Sequence, residues 1–301
     1  MRPTWGASLA CALAGVACAG GPPGGAIKGD VDSADRVDAA VRRCNGHAAL
    51  CARPLDQVTF AGTHNSMSAA DEGWLGPNQQ HGIERQLEDG VRALMLDTVE
   101  EDGELLLCHG YCSLGSRPLV EALTAIDAFL EAHPDELLFI IFQDAIPVAS
   151  TEAALRESGL LARAYDQRPA RGDWPTLGDL TADGVQLVVG LEAGGPPPAV
   201  LHHAWDLFQD TPYSFDSIDE FSCDLNRGRA DSPLLLVNHW LGPLPSAERS
   251  ATVNVAAVLA ARAEACAAAR GMPVTFLGVD HYAVGDLFAV VDALNGVADA
   301  D

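Results

Sequence analysis

The sequence is short of positive charge. It contains 18 Lys and Arg residues against 42 Asp and Glu residues, which gives a formal net charge of −24 over 301 residues. A field of that sign repels nucleic acids and anionic membrane surfaces, so neither is expected as the main partner. A negatively charged substrate would have to be met by local cations, a metal ion or backbone amides.

The sequence also lacks an apolar stretch long enough to span a bilayer at its start. The apolar stretch Leu9–Val16 follows Met1-Arg2 and precedes small residues, which is typical of an export signal over residues 1–20. Gly15–Cys18 also resembles a lipoprotein cleavage box, although Gly15 replaces its usual Leu. Plain secretion and lipid attachment at Cys18 both stay open, and either predicts a secreted or cell-envelope protein.

Internal repeats and long linkers are absent as well. Residues 21–45, which begin with a Gly/Pro stretch, are predicted to form a tether and N-terminal extension. Nothing after residue 45 marks a second domain boundary, so residues 46–301 are expected to form one domain. We expect this domain to act as a monomer.

Six cysteines remain after the signal, and an even number in an exported chain indicates disulfides. A rival interpretation is a metal site built from Cys108, His109 and Cys112, but export favours disulfides. Short spacing then predicts these pairs: Cys44–Cys51, Cys108–Cys112 and, by remainder, Cys223–Cys266.

Short apolar runs alternate with amphipathic segments along the chain. Uniformly apolar runs of this length are typical of strands buried on both faces of a parallel sheet, and the alternation predicts an α/β fold of (βα) barrel type. Helices are predicted over Leu119–Ala132, Val253–Arg270 and from Gly285 to Leu294. The predicted strands are Val58–Ala61, Val91–Leu96, Glu104–Cys108, Leu137–Phe142, Val185–Leu191, Leu234–Val237 and Val274–Val279.

A polar or titratable residue follows each of these runs. The carboxyl ends of parallel barrel strands converge on one face, where such barrels carry their active sites. We therefore expect these side chains to lie close together. They are His64-Asn65, Asp97, His109, Gln143-Asp144, Glu192, Asn238-His239 and Asp280-His281.

Two histidines facing one cavity suit a reaction that needs both proton removal and proton donation near neutral pH, such as phosphodiester cleavage. His64 and His109 are the candidates for this pair. A carboxylate behind the base, either Asp280 or Asp97, would orient it. Asn65 and Asp97 could hold a hard cation against the phosphate.

These motifs resemble the X-region of phosphatidylinositol-specific phospholipases C. The resemblance rests on Thr63-His64-Asn65-Ser66, on Gly90–Asp97 and on Leu107-Cys108-His109-Gly110, in that order. Pro134–Asp144 resembles a further strand of that family. Three later segments are similar to its secreted, phospholipase C-like bacterial and fungal branch: Asn226-Arg227-Gly228, Asn238-His239-Trp240 and Val279-Asp280-His281-Tyr282.

The resemblance implies an irregular (βα)₈ TIM-type barrel that cleaves a phospholipid or related phosphodiester. It implies that His64 and His109 are catalytic and that Asp280 supports His64. Asn65 and Asp97 match two calcium-binding positions, which implies a weakly held Ca²⁺. However, Met95 and Gln143 stand where calcium-dependent members have Glu, and Asp97 replaces the Arg of metal-independent members.

If no metal is bound, another cation must neutralise the phosphate, and His239, Arg117 and Arg227 are the candidates. Asn238, His239, Arg117 and Trp240 are accordingly expected to contact substrate, and Trp240 could instead simply pack. Peripheral contact with a membrane fits a phospholipid substrate.

Two other functions stay open. One is a phospholipase D-like or glycerophosphodiester phosphodiesterase barrel, which typically needs a Glu-x-Asp metal clamp that Met95-Leu96-Asp97 lacks. The other is an envelope lipoprotein that binds lipid headgroups without turnover. The retention of His64, His109 and Asp280 favours the phospholipase C-like enzyme.

Overall fold

The computed structural model describes residues 41–192, 200–242 and 244–298. The predicted export signal, Cys18 and residues 21–40 of the predicted tether lie outside the described residues. All the described residues belong to one compact unit that starts at Val41.

Ten strands form a single sheet. Eight of them run parallel in the order β7-β6-β5-β2-β1-β10-β9-β8, so the described chain forms a curled α/β sheet. The strands are β1 (Phe60–Thr63), β2 (Ala93–Glu101), β3 (Glu104–Leu107), β4 (Arg117–Pro118), β5 (Leu138–Asp144), β6 (Leu187–Leu191), β7 (His202–His203), β8 (Phe208–Asp210), β9 (Leu234–His239) and β10 (Phe276–Val279).

Helices connect the parallel strands and cover the outside of the sheet. The predicted helix Leu119–Ala132 is confirmed with those bounds. The helices are α1 (Ile83–Asp89), α2 (Leu119–Ala132), α3 (Val148–Glu157), α4 (Leu177–Ala182), α5 (Ala204–Leu207), α6 (Ala247–Val253), α7 (Ala256–Arg270) and α8 (Leu287–Asn295).

Strand alternation divides the core into two layers. On β5, Ile140 and Phe142 pack in the cluster that includes the helices, whereas Phe139 and Ile141 pack inside the curled sheet. The inner layer is rich in edge-to-face aromatic contacts, such as the one between Phe139 and Phe208. Because side chains alternate, Gln143 continues the inward row of β5 towards the carboxyl end of the sheet.

The predicted strand Glu104–Cys108 does not belong to the parallel set, which corrects the expectation drawn from its apolar character. As β3 it pairs antiparallel with β2. Asp102 and Gly103 both have positive φ angles, 52° and 84°, and an Asp-Gly pair of this conformation closes a tight hairpin. The hairpin folds the chain back along β2, so that the Cys108 amide donates to the Asp97 carbonyl at 3.2 Å and His109 follows at the level of Asp97.

The helix predicted over Val253–Arg270 is broken near its start. Helix α6 ends at Val253 and α7 begins at Ala256, and Asn254 between them donates from Nδ2 to the carbonyl of Asp280 at 2.9 Å. No single helix among the described residues has the length and apolar character needed to cross a membrane. The pair α6 and α7 passes that test of length and composition only when taken together, across a bend of 65°.

Three disulfides join the cysteines in the pairs expected from the sequence, Cys44–Cys51, Cys108–Cys112 and Cys223–Cys266. Bonded in this way, the thiols of Cys108 and Cys112 are not free to ligate a metal. The Cys108–Cys112 bond closes a loop of only four residues' separation around His109, which fixes the backbone that carries this histidine.

Candidate active site

A cavity of about 300 Å³ lies at the carboxyl ends of the parallel strands. His64 follows β1 and Asp280 follows β10, and these strands are hydrogen-bonded neighbours in register, with Thr63 beside Val279. The His64 amide donates to the Val279 carbonyl at 3.0 Å, which continues that register past the strand ends. Sheet pairing therefore brings together two side chains that are 216 residues apart in sequence.

The imidazole of His64 is fixed by two neighbours. Its Nδ1 lies 2.9 Å from Oδ1 of the buried Asp280, an arrangement in which Nδ1–H donates to the carboxylate. The indole of Trp240 stacks on the ring, with centroids 3.9 Å apart and planes 3° apart. These contacts set the ring plane and tautomer, and they leave Nε2 as the nitrogen available to accept a proton.

His109 lines the same cavity, with its ring centroid 6.5 Å from that of His64. Its Nδ1 lies 3.3 Å from Nδ2 of Asn65, and because an amide nitrogen can only donate, the neutral His109 carries its proton on Nε2. Burial, together with the nearby His64, lowers the pKa of His109 below the ordinary histidine value of 6.5.

A chain of side-chain amides connects the two histidines. Asn65 Nδ2 also donates to Asn78 Oδ1 at 3.3 Å, and Asn78 Nδ2 donates to Asp280 Oδ1 at 2.9 Å. Asn78 was not predicted from the sequence. It lies in the loop after β1, within Ser68–Gln80, and no sequence motif marks it. Its hydrogen bonds to Asn65 and Asp280 in the folded chain identify it.

Asp97 lies in the cavity at the end of the inward row of β2 and is 8% exposed. Burial raises its pKa to about 7, an effect that His64 opposes and Glu192 reinforces. With its amide nitrogen turned towards Asp97, Gln143 donates to the two carboxylate oxygens at 3.3 and 3.2 Å. Asp97 therefore already has a neutral hydrogen-bond donor as its partner.

The described residues do not fit the calcium site that the resemblance implies. Ca²⁺ takes six to eight oxygen ligands, usually several of them carboxylates. No group of three or more His, Cys, Asp and Glu side chains in the described ranges is arranged to hold a metal ion. The thioether of Met95 offers no oxygen ligand. Of the two expected ligands, Asn65 and Asp97, only Asp97 is a carboxylate, and the amide of Gln143 already contacts it.

A second polar cluster is formed by Glu192 and Arg227, which line the cavity, and by the buried Asp210, which does not. Arg227 Nη2 donates to Asp210 Oδ2 at 2.6 Å, and its Nη1 lies 3.2 Å from the Glu192 carboxylate. The guanidinium also lies over the rings of Trp205, at 3.9 Å, and Tyr213, at 4.7 Å. Arg227 is the only Arg or Lys that lines this cavity among the described residues.

Burial raises the pKa of Glu192, and the adjacent Arg227 opposes that shift. The sequence places Glu192 at a strand end and Arg227 in a family-like segment, but it does not indicate that the two meet. Of the three cations considered for the phosphate, only Arg227 lies at the cavity.

Arg117 does not line the cavity, which corrects its expected role in substrate contact. It is the first residue of β4, beside β3 in the sheet, but its guanidinium is directed to carboxylates of α1 and α2. Its Nη2 and Nη1 donate to Glu84 at 2.6 and 2.8 Å, and its Nε donates to Glu121 at 3.2 Å. With Glu72 at 3.5 Å as a third carboxylate partner, the Arg117 guanidinium belongs to a structural ion-pair cluster outside the cavity.

Asn238 and His239 do not line the cavity either, and β9 extends two residues beyond the predicted strand end at Val237 to include both. Both are therefore part of the sheet. Asn238 Nδ2 donates to Asp210 Oδ2 at 3.0 Å, and His239 Nε2 donates to the Val253 carbonyl at 2.9 Å. Trp240, the first residue after β9, is the member of this segment that lines the cavity.

Comparisons with known proteins place this chain among relatives of known family. The family model PI-PLC X 1 matches residues 50–295. An uncharacterized secreted protein of Arthroderma benhamiae is 29% identical over 85% of this chain, and the chain spans 64% of that relative's length. A PI-PLC X domain-containing protein of the same fungus is 26% identical over 84% of this chain and 90% of its own length.

Solved structures of similar fold include mutant forms of phosphatidylinositol-specific phospholipase C from Staphylococcus aureus. One superposes with a TM-score of 0.53 at 16% identity and covers 81% of this chain and 95% of its own. Another has a TM-score of 0.54 at 14% identity, covering 81% and 93%. This likeness confirms the predicted irregular TIM-type barrel.

Proposed function

The chain belongs to the PI-PLC X family, and we propose that it is a phosphodiesterase that cleaves a phospholipid-type diester with His64 and His109 as base and acid. The observation that carries the proposal is that both imidazoles face one cavity, 6.5 Å apart between centroids, with Asp280 behind His64. Binding alone would not require a base, an acid and an orienting carboxylate in one site.

His64 acts first. Its Nε2 takes the proton from the attacking hydroxyl as that oxygen forms its bond to phosphorus. The ring then carries a positive charge, which the carboxylate of Asp280 stabilises through Nδ1–H. Trp240 keeps the ring in the plane that directs Nε2 to the cavity, and its π face also favours the cation.

His109 acts as the acid. Its Nε2 donates a proton to the leaving oxygen as the bond from that oxygen to phosphorus breaks. Because burial lowers the pKa of His109, its protonated form is a stronger acid than an ordinary imidazolium. The proton gained by His64 and the proton lost by His109 balance over the reaction, and solvent restores both rings.

Arg227 supplies positive charge at the phosphate in the proposed mechanism. In this mechanism only one of the two histidines is protonated at a time. Apart from Arg227, no Arg or Lys in the described ranges lines the cavity. Because the donor set does not fit Ca²⁺, no step passes through a metal. The missing Glu at position 95 likewise gives no support to a metal-clamped glycerophosphodiester barrel.

Export is proposed for this enzyme, to the exterior or to the cell envelope. It is supported by the signal-like residues 1–20, by the three disulfides and by a relative described as secreted. The proposal covers two forms of the exported protein, one that is freely secreted and one that is attached to lipid at Cys18.

The experiment is an assay of the purified protein on a panel of phosphodiesters, with and without a chelator, beside His64→Ala. His81→Ala serves as the matched control, because His81 pairs with Asp71 outside the cavity. We expect turnover of at least one diester, a loss of about 10²–10⁴-fold in His64→Ala, and no effect of the chelator or of His81→Ala.

Absence of turnover on every diester would contradict the proposal and favour a protein that only binds headgroups. Turnover that does not depend on His64 would contradict it equally. Turnover abolished by the chelator and restored by Ca²⁺ would retain the enzyme but overturn the metal-free mechanism.

A further inference from the structure

The Arg227 guanidinium already bonds to carboxylates through all three of its nitrogens. Its Nε and Nη2 donate to Oδ2 of Asp210 at 2.9 and 2.6 Å, and its Nη1 donates to both carboxylate oxygens of Glu192 at 3.2 Å. The rings of Trp205 and Tyr213 pack against the guanidinium as well. A phosphate that binds Arg227 therefore competes with these two carboxylates for the same cation.

Asp210 is fixed in place and is not the carboxylate that can yield. Its side chain is fully buried, and it also accepts from the Arg227 amide at 2.6 Å and from Asn238 Nδ2 at 3.0 Å. Gly228 lets the chain after Arg227 lie against β8, because its φ is +82° and a Cβ would lie 2.0 Å from the Phe208 carbonyl oxygen. Asp210 and Arg227 therefore form one preassembled unit.

Glu192 is held more loosely than Asp210. Its side chain is 17% exposed and lines the cavity, and its two contacts with Arg227 are longer than the distance of about 2.7–2.9 Å that is typical of charged pairs. Its backbone is anchored separately, since the Glu192 amide donates to the Phe142 carbonyl at 2.9 Å. The carboxylate can therefore leave Arg227 while β6 stays in place.

Most of the charged groups that act on Glu192 are acidic, and they come from several strands and loops. They are Asp97, Asp144, Asp210, Arg227 and His64. Burial raises the pKa of Glu192, and Arg227 is the main group that opposes this shift. A Glu192 carboxylate that leaves Arg227 loses that support, so it takes up a proton from solvent.

We propose that Glu192 occupies the place of the phosphate on Arg227 and that the phosphodiester displaces it, so that Glu192 sets the affinity of the site for its substrate. Glu192 keeps the partly buried cation paired when no substrate is bound, because leaving such a charge without its partner is costly. Arg227 and Asp210 stay in place while one anion replaces the other. The placement of the phosphate on Arg227 rests on the proposed function.

The experiment removes the charge of Glu192 while retaining its size, in Glu192→Gln. The matched control is Glu121→Gln, because Glu121 also accepts from an arginine, Arg117, at 3.2 Å but lies outside the cavity. The probe is dimethyl phosphate, a minimal phosphodiester anion, and its binding is followed by NMR titration, which needs no turnover. KM and kcat for a soluble diester are measured beside it. Thermal unfolding confirms that each variant is folded.

We expect Glu192→Gln to bind dimethyl phosphate about tenfold more tightly than the wild type, because its neutral amide competes less for Arg227. KM for the diester should fall by a similar factor while kcat changes little, since the gain applies to substrate and transition state alike. Glu121→Gln should behave as the wild type. In an Arg227→Gln background, the gain from Glu192→Gln should fall below about threefold.

The pH dependence of binding gives a second readout. Protonation of Glu192 removes the competitor, so the wild type should bind dimethyl phosphate more tightly as the pH falls towards the raised pKa of Glu192. His64 and His109 contribute to the pH dependence of both proteins, whereas the part due to Glu192 should be missing from Glu192→Gln. An equal pH dependence in the two proteins would overturn the proposal.

Unchanged or weaker binding by Glu192→Gln would also overturn it, because Glu192 would then support the site rather than compete with the phosphate. Absence of binding by both proteins, or an equal gain with and without Arg227, would contradict it as well. Where Arg227→Gln does not fold, the direction of the change in Glu192→Gln decides. Tighter binding by Glu192→Gln without turnover of any diester would leave the displacement intact and contradict the proposed function instead.

Discussion

At the scale of single residues, the stacking of Trp240 on His64 is the aromatic contact that orients the proposed base. Their rings are stacked and nearly parallel, with planes 3° apart and centroids 3.9 Å apart. Because Trp240 uses that face on His64, we interpret it as a positioning residue rather than a stacking platform for substrate.

Substitution of Trp240 should therefore affect the chemical step more than binding. We expect Trp240→Leu to lower kcat about tenfold or more with little change in KM, because the imidazole loses its orientation. Trp240→Phe should retain most of the activity, since a flat ring remains. Steady-state kinetics of both variants test this, and a rise in KM at unchanged kcat would instead assign Trp240 to substrate binding.

The buried position of His109 predicts the pH dependence of the reaction. Burial disfavours the charged imidazolium, so the pKa of His109 lies below the ordinary 6.5. An acid catalyst must be protonated, so activity is lost as the pH rises through that lowered pKa. We expect the descending limb of kcat/KM, which reports the free enzyme, to fall below an ordinary histidine value. A descending limb above that value would contradict His109 as the acid.

At the scale of elements, the end of β9 buries a histidine that the proposed mechanism does not use. His239 lies fully buried beside Val253, and burial lowers its pKa to about 3. The unfolded chain binds a proton on this ring below about pH 6.5, and the folded chain does not. This residue therefore makes the fold less stable as the pH falls from its unfolded towards its folded pKa.

We expect His239 to account for about 2 kcal/mol of the stability lost between about pH 7 and about pH 5. Denaturant unfolding of wild type and His239→Gln at the two pH values measures this. The variant should be less stable at neutral pH but show a smaller loss on acidification. Equal losses in the two proteins would mean that His239 titrates normally.

Elements were predictable where pattern alone decides them, and less so where tertiary contacts decide. The apolar runs located seven strands, because a strand buried on both faces is apolar throughout. The helical stripe located α2, because a helix buried on one face repeats apolar residues at helical spacing. The direction of β3 depended on the Asp102-Gly103 turn, which apolar content does not report. The end of β9 depended on hydrogen bonds from Asn238 to Asp210, which lie outside the strand.

At the scale of the whole molecule, the histidines and Asp280 could be predicted because each follows a strand and parallel strands share one active end. Asn78 and the contact of Arg227 with Glu192 could not be, because both depend on loops whose paths no local pattern specifies. Arg117 was misplaced for the same reason: proximity to His109 in sequence did not indicate that α1 and α2 supply its carboxylate partners.

The acidic balance of the whole chain makes the distribution of charge in the site the central physical question. A chain of net charge −24 that binds a phosphodiester needs its positive groups at the reaction centre. In the proposed mechanism the positive groups are the protonated histidine of the pair and Arg227, whose guanidinium is held by Glu192 and Asp210. The assignment of base and acid to the two histidines is therefore the claim on which the mechanism depends.

Leaving-group dependence tests that claim most directly. His64→Ala and His109→Ala would each be assayed on an alkyl phosphodiester and on its nitrophenyl counterpart, whose leaving oxygen needs no proton. We expect His64→Ala to lose about 10²–10⁴-fold on both, and His109→Ala to lose as much on the alkyl diester but little on the nitrophenyl diester. Equal losses by His109→Ala on the two substrates, or a selective rescue of His64→Ala, would contradict the account.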